Sequence, residues 1–207
     1  LSGTAFSRLS KQWNREYIVS RFGITIYQIN DLIGTLRPTV SSWFGYDVAL
    51  KEFNDYYENN TIPVSNNSYT NLYKDYNVIF VHMESMMSFL IDLKINDTVI
   101  TPNLNKLSQE SIYFTNFYPQ ISVGTSSDTE FTLTTSLMPA SNGTAFVTYY
   151  SREYVTIPKL LREKGYYTFS MHGNKASMWN RNKMHPSLGY MDFYSSTSYD
   201  IDQTVGL

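Results

Sequence analysis

Apolar residues recur along this chain in two rhythms. Residues 1–75 are polar, rich in Asn and Tyr, and only weakly periodic. Within them, Tyr17 to Leu36 has the spacing of one or two amphipathic helices. Arg37-Pro38 is expected to interrupt that pattern, because proline lacks an N–H and its ring clashes with the preceding turn. Asp47 to Tyr57 predicts another helix, and Asn59 to Asn71 reads as a loop.

From Tyr76 the rhythm changes. Asn77-Val78-Ile79-Phe80-Val81-His82 is a short apolar run suited to a buried strand. Thr101-Pro102-Asn103 opens a helix with proline in its first turn. Ile112-Tyr113-Phe114 predicts a strand. Ser127-Asp128-Thr129-Glu130 matches a capping box, so a helix is expected from there to about Leu137. Ile157-Pro158 starts the next helix and Gly165 ends it. Tyr166 to Met171 then predicts a strand. Strands alternating with helices give an α/β class with a mostly parallel sheet flanked by helices. The division expected is a partly helical linker over 1–75 and an α/β domain over 76–207.

Composition alters this picture little. The chain has 207 residues, 42% hydrophobic and 16% charged, which is globular composition. Its 18 Tyr and 12 Phe suit carbohydrate or headgroup contacts, or reflect a compositional bias shared with its Asn content. The formal charge of −2 argues against a nucleic-acid partner. Arg8, Lys11, Arg15, Arg21 and Arg37 outnumber Glu16 and Asp31 in the first 40 residues, which fits either proximity to anionic headgroups or an ordinary solvated segment. Having no Cys, the chain can build no disulfide, thiolate metal site or cysteine nucleophile. No stretch has the apolar length of a membrane span.

Three short segments carry candidate chemistry. Glu84 directly follows the apolar run at 77–82, where ligands gather in open α/β sheets. Its carboxylate could hold a divalent metal, or simply favour a helix start. In Val123 to Phe131, glycine and hydroxyl residues meet a helix start, which offers free N–H groups and positive potential to a phosphate. Ser or Thr there could attack phosphorus, or merely cap the helix. His172, at the end of a predicted strand, precedes Trp179-Asn180-Arg181, whose guanidinium suits a phosphate and whose indole suits a pocket wall.

Taken together, His82-Met83-Glu84-Ser85, Thr101-Pro102-Asn103-Leu104, Gly124 to Phe131, Met171-His172-Gly173 and Trp179-Asn180-Arg181 resemble the lipoteichoic acid synthase family of the sulfatase/alkaline phosphatase superfamily. The resemblance covers about residues 76–200. More weakly, residues 15–40 resemble the family's juxtamembrane connector. It implies an alkaline phosphatase-like fold, incomplete here, on the outer face of a Gram-positive-type cell membrane. Attachment would be through transmembrane helices outside this sequence. The implied reaction moves glycerophosphate from phosphatidylglycerol to a growing polymer through a covalent hydroxyl intermediate, with Mn2+ or Mg2+ as cofactor. By position, Ser126 is the implied nucleophile and a metal ligand, with Thr125 as the alternative. Glu84 is the implied metal ligand, and His172, Trp179 and Arg181 line the glycerophosphate site. The family usually carries Thr where Ser126 stands, and an acidic residue where Asn174 stands. Its remaining metal ligands and a further pocket His are expected beyond Leu207, so the fragment alone is expected to be inactive and its central strands to have unpaired edges. Other transfers or hydrolyses on the same scaffold, and a non-catalytic envelope module, are the alternative readings. Sulfatase chemistry is disfavoured because Pro and Arg are absent after Ser126.

Overall fold

Helices form where the sequence supplies a start and a stop. The computed structural model describes Leu9 and residues 14–41, 43–141 and 143–203; Arg8 and Lys11 lie outside them. Helix α1 (Arg15–Phe22) is capped by Asn14, whose side chain accepts the Tyr17 N–H, and ends at Gly23 with φ 83°. Next comes α2 (Ile24–Ser41), which runs past Pro38. The expected break therefore falls three residues late, since a missing donor in the last turn removes a single bond. Helix α3 (Tyr46–Asn60) contains the predicted Asp47 to Tyr57. None of the described helices is long and apolar enough to cross a membrane.

The chain divides into two compact units, Leu1–Tyr76 with Ile121–Leu207, and Asn77–Gln120. The smaller holds a hairpin of β1 (Lys94–Ile95) and β2 (Thr98–Val99), followed by α4 (Pro102–Glu110). Asn96 and Asp97 both have positive φ, as a two-residue hairpin turn with right-handed strand twist requires. Thr101 Oγ1 bonds the Leu90 carbonyl and the Asn105 side chain, holding the entry to α4.

Two expected strands are absent. Residues 77–82 and 112–114 belong to no strand or helix, and Ile79 is 85% exposed. A strand exists through its ladder, and no described strand lies alongside either run. Apolar character alone does not make one.

The larger unit carries α5 (Ser126–Thr135), α6 (Ala145–Thr148), α7 (Ile157–Glu163), β3 (Phe169–Met171), α8 (Arg181–Ser187) and β4 (Asp192–Tyr194). Strands β3 and β4 pair in parallel, with Ser170 opposite Phe193. Helix α8 lies in the connection between them, the usual way of joining parallel strands. Thr156 caps α7 through the Lys159 N–H, and Gly165 at φ 86° follows its end, as read from sequence. The strand expected over Tyr166 to Met171 is confined to its last three residues. Phe131 of α5, Ala145 and Phe146 of α6, Trp179, Met184 of α8 and Leu188 form the core. The Phe131 and Tyr154 rings meet edge to face at 5.3 Å.

The capping box does not form. Helix α5 begins at Ser126, one residue earlier than expected, and its flanking residue Thr125 makes no side-chain cap. Glu130, which should reach back to the helix start, instead reaches across to α8. Charged donors outbid a single backbone N–H.

Candidate active site

The turn into α5 is built around a buried carboxylate. Asp128 has no exposed surface. Its Oδ2 accepts the N–H groups of Ser122 and Gly124, both at 2.9 Å. A Cβ on Gly124 would lie 2.2 Å from Asp128 Oδ1, so no larger residue fits. Ser127 Oγ donates to the Gly124 carbonyl at 2.8 Å. The chain then passes through Thr125 at φ 48°, ψ −114°. That is close to the first central position of a type II′ turn, normally held by glycine. A β-branched residue there is strained by on the order of 1–3 kcal/mol. The result places Ser126, half-buried, as the first residue of a ten-residue helix, with Thr125 exposed beside it.

One turn along the same helix, Glu130 gathers the polar groups beneath. Both its oxygens accept from Arg181 Nε, at 3.1 and 3.0 Å, and Oε1 also meets Nη2. Its Oε2 meets His185 Nε2 at 3.0 Å, and the other nitrogen of that ring lies 2.7 Å from Ser170 Oγ on β3. Arg181 is only 2% exposed and His185 4%. Burial pulls the Glu130 pKa up, but hydrogen bonds from His185 and Arg181 and the Arg181 charge outweigh it, taking it from 4.5 to about 2. This cluster was missed from sequence. Spacing places Glu130 on the helix but gives no signal of partners 51 and 55 residues away.

His172 follows β3 and extends its ladder, its N–H bonding the Tyr194 carbonyl at 2.8 Å. Its Nδ1 accepts the Asn174 N–H at 3.0 Å. Trp179 and Asn180 follow with consecutive positive φ of 55° and 56°. The Asn180 side chain holds this kink, donating to the Phe146 carbonyl and accepting from Arg15 of α1, both at 2.9 Å. Glu16 of α1 reaches Lys175 at 2.8 Å.

Among the described residues, four that are neither Gly, Asn nor Asp have positive φ: Ser85, Thr125, Ser136 and Trp179. Ser136 is an ordinary left-handed helix end. The other three fall on, or beside, Glu84, Ser126 and the Trp179 to Arg181 segment. Strain of this kind collects at functional sites.

The structure therefore brings Ser126, Thr125, Trp179 and Arg181 into one unit with His172, while Glu84, exposed, belongs to the other unit. Trp179 lies in the core, 7% exposed, and the Arg181 fork already faces a carboxylate. Taken singly, the oxygen donors of Glu84 and of Ser126 are of the kind that Mg2+ and Mn2+ take. Among the described residues no three His, Asp or Glu side chains converge to hold a metal.

The sulfatase family matches residues 76–205. The chain is 34% identical over 197 residues to lipoteichoic acid synthase 2 of Bacillus subtilis (strain 168), covering 94% of this chain and 30% of that protein. It is 32% identical over 198 residues to lipoteichoic acid synthase of Staphylococcus aureus (strain USA300), covering 93% of this chain and 30% of that one. Among solved structures, the lipoteichoic acid synthase LtaP from Listeria monocytogenes superposes with a TM-score of 0.55 at 32% identity, over 56% of this chain and 29% of that one. The chain thus spans about a third of the length of these relatives.

Proposed function

This chain belongs to the sulfatase family, and from that premise we propose that it supplies the nucleophile segment of a lipoteichoic acid synthase-type glycerophosphotransferase. The Ser126 hydroxyl attacks the phosphorus of phosphatidylglycerol. An Oγ–P bond forms, the bond from phosphorus to the diacylglycerol oxygen breaks, and diacylglycerol leaves with a proton. A glycerol hydroxyl at the end of the polymer then attacks the glycerophosphoryl-serine and regenerates Ser126. The observation that carries this reading is the placement of Ser126 at the head of α5, behind the strained Thr125. A helix N-terminus favours phosphate charge through its dipole and first-turn N–H groups. His172, at the end of β3, would line the glycerophosphate site.

A divalent ion would supply further charge stabilisation. By position in the sequence, Glu84 and Ser126 are each a candidate oxygen ligand for it. The cell membrane, with the chain on its outer face, is the setting this substrate demands.

The test is to incubate the full-length product of the encoding gene with Mn2+ and phosphatidylglycerol and to map adducts by peptide mass spectrometry. A glycerophosphoryl group within Gly124 to Phe131 is expected. It should vanish in Ser126→Ala and persist in Thr125→Ala. Loss only in Thr125→Ala would move the nucleophile by one residue. Absence of both adduct and released diacylglycerol would overturn the assignment.

A further inference from the structure

One carboxylate ties together segments that are far apart in sequence. Glu130 lies four residues beyond Ser126 on α5, hence on the same side of the helix. Its two oxygens engage Arg181, at the head of α8, and His185, one turn further on. His185 in turn holds Ser170 of β3 at 2.7 Å, two residues before His172. Its ring is wedged edge-on against Phe146 and Phe193, at 5.7 and 4.6 Å. Such a ring can turn only if the core moves.

We propose that Glu130 is a positioning residue for the transfer reaction, which through Arg181 and His185 fixes the helix carrying Ser126 against the strand carrying His172 and the loop carrying Trp179. This rests on the reading of Ser126 as nucleophile. A buried, bidentate carboxylate–guanidinium pair defines both distance and orientation, which a hydrophobic contact does not. Its ordinary alternative is a stability role alone, and the two differ in what they do to kinetics. Displacement of a nucleophile by a fraction of an ångström slows chemistry without weakening substrate binding.

The experiment compares the full-length protein with Glu130→Gln and Glu130→Asp, each measured well below its own unfolding temperature. Substrate is phosphatidylglycerol in detergent with Mn2+, and hydrogen exchange is followed by mass spectrometry. For Glu130→Gln, kcat should fall roughly 10- to 100-fold with KM changed less than about threefold. Glu130→Asp, keeping the charge, should recover part of the rate. Exchange should rise together in peptides covering 122–130 and 170–185. A folded Glu130→Gln with kcat within about twofold of the parent overturns the proposal, as does faster exchange confined to α5. Should the parent protein form no adduct, the transferase reading fails by that result. Joint loosening of the two peptides would then still establish the coupling, and its absence would refute it.

Discussion

Gly124 is the position where a single added carbon does most damage. Its Cβ would collide with Asp128, which is buried and accepts two N–H groups of the turn. Gly124→Ala should lower stability by about 2 kcal/mol or more, read from the urea midpoint, because relief requires pulling a buried carboxylate off its donors. Glu130 sets a pH dependence of definite sign. Its folded pKa lies below its ordinary value, so its stabilisation is present above about pH 4.5 and is lost as pH falls toward 2. At about 1.36 kcal/mol per pKa unit, the difference between 4.5 and about 2 is on the order of 3 kcal/mol. Acid titration of the folded protein should show this limb. Glu130→Gln should flatten it, and an unchanged acid midpoint in that variant would contradict the assignment. Ser126, Thr125, His172 and Arg181 were legible as chemistry-bearing residue types at helix starts and strand ends. Asp128, Ser170 and His185 were not, because their roles come from contacts across the fold that no local spacing encodes.

Elements divide by how local their causes are. Helices α3, α4 and α7 were readable because their capping residues, prolines and periodicity lie within the segment itself. The 77–82 and 112–114 runs failed as strands because a strand depends on a neighbour elsewhere in the chain. The capping box failed for a related reason: Glu130 had two charged or polar partners on α8 that outweighed its local one. Thr156 joins both classes, capping α7 and donating to the Leu188 carbonyl. Thr156→Ala should therefore cost about 1–2 kcal/mol, at the upper end for a lost cap, in thermal or urea unfolding. Phe146→Ala, which hollows the layer between α5, α6 and α8, should cost about 3–5 kcal/mol.

At the scale of the molecule, the sequence disclosed family and fold class more fully than strand pairing. Five motifs in order along residues 76–200 were enough to identify the relatives and the α/β class, while the described residues hold two small sheets, a parallel pair and a short hairpin. Val78, Ile79, Phe80 and Val81 stand exposed in an unpaired stretch. Such a run is a template for edge pairing. The 207-residue chain by itself should bind an apolar dye and associate with rising concentration, and Ile79→Lys should reduce both. A chain that stays monomeric and dye-free would show that the run is covered in solution.

The bond between Arg15 and Asn180 has a consequence in time rather than energy. Its partners are 165 residues apart. At synthesis rates of about 5–20 residues per second, α1 emerges roughly ten to thirty seconds before the kink it grips exists. The polar ends of α1, Arg15 and Glu16, therefore meet Asn180 and Lys175 late, long after α1 itself has been made. The strained Trp179–Asn180 turn, which Arg15 grips, is thus a late event of folding.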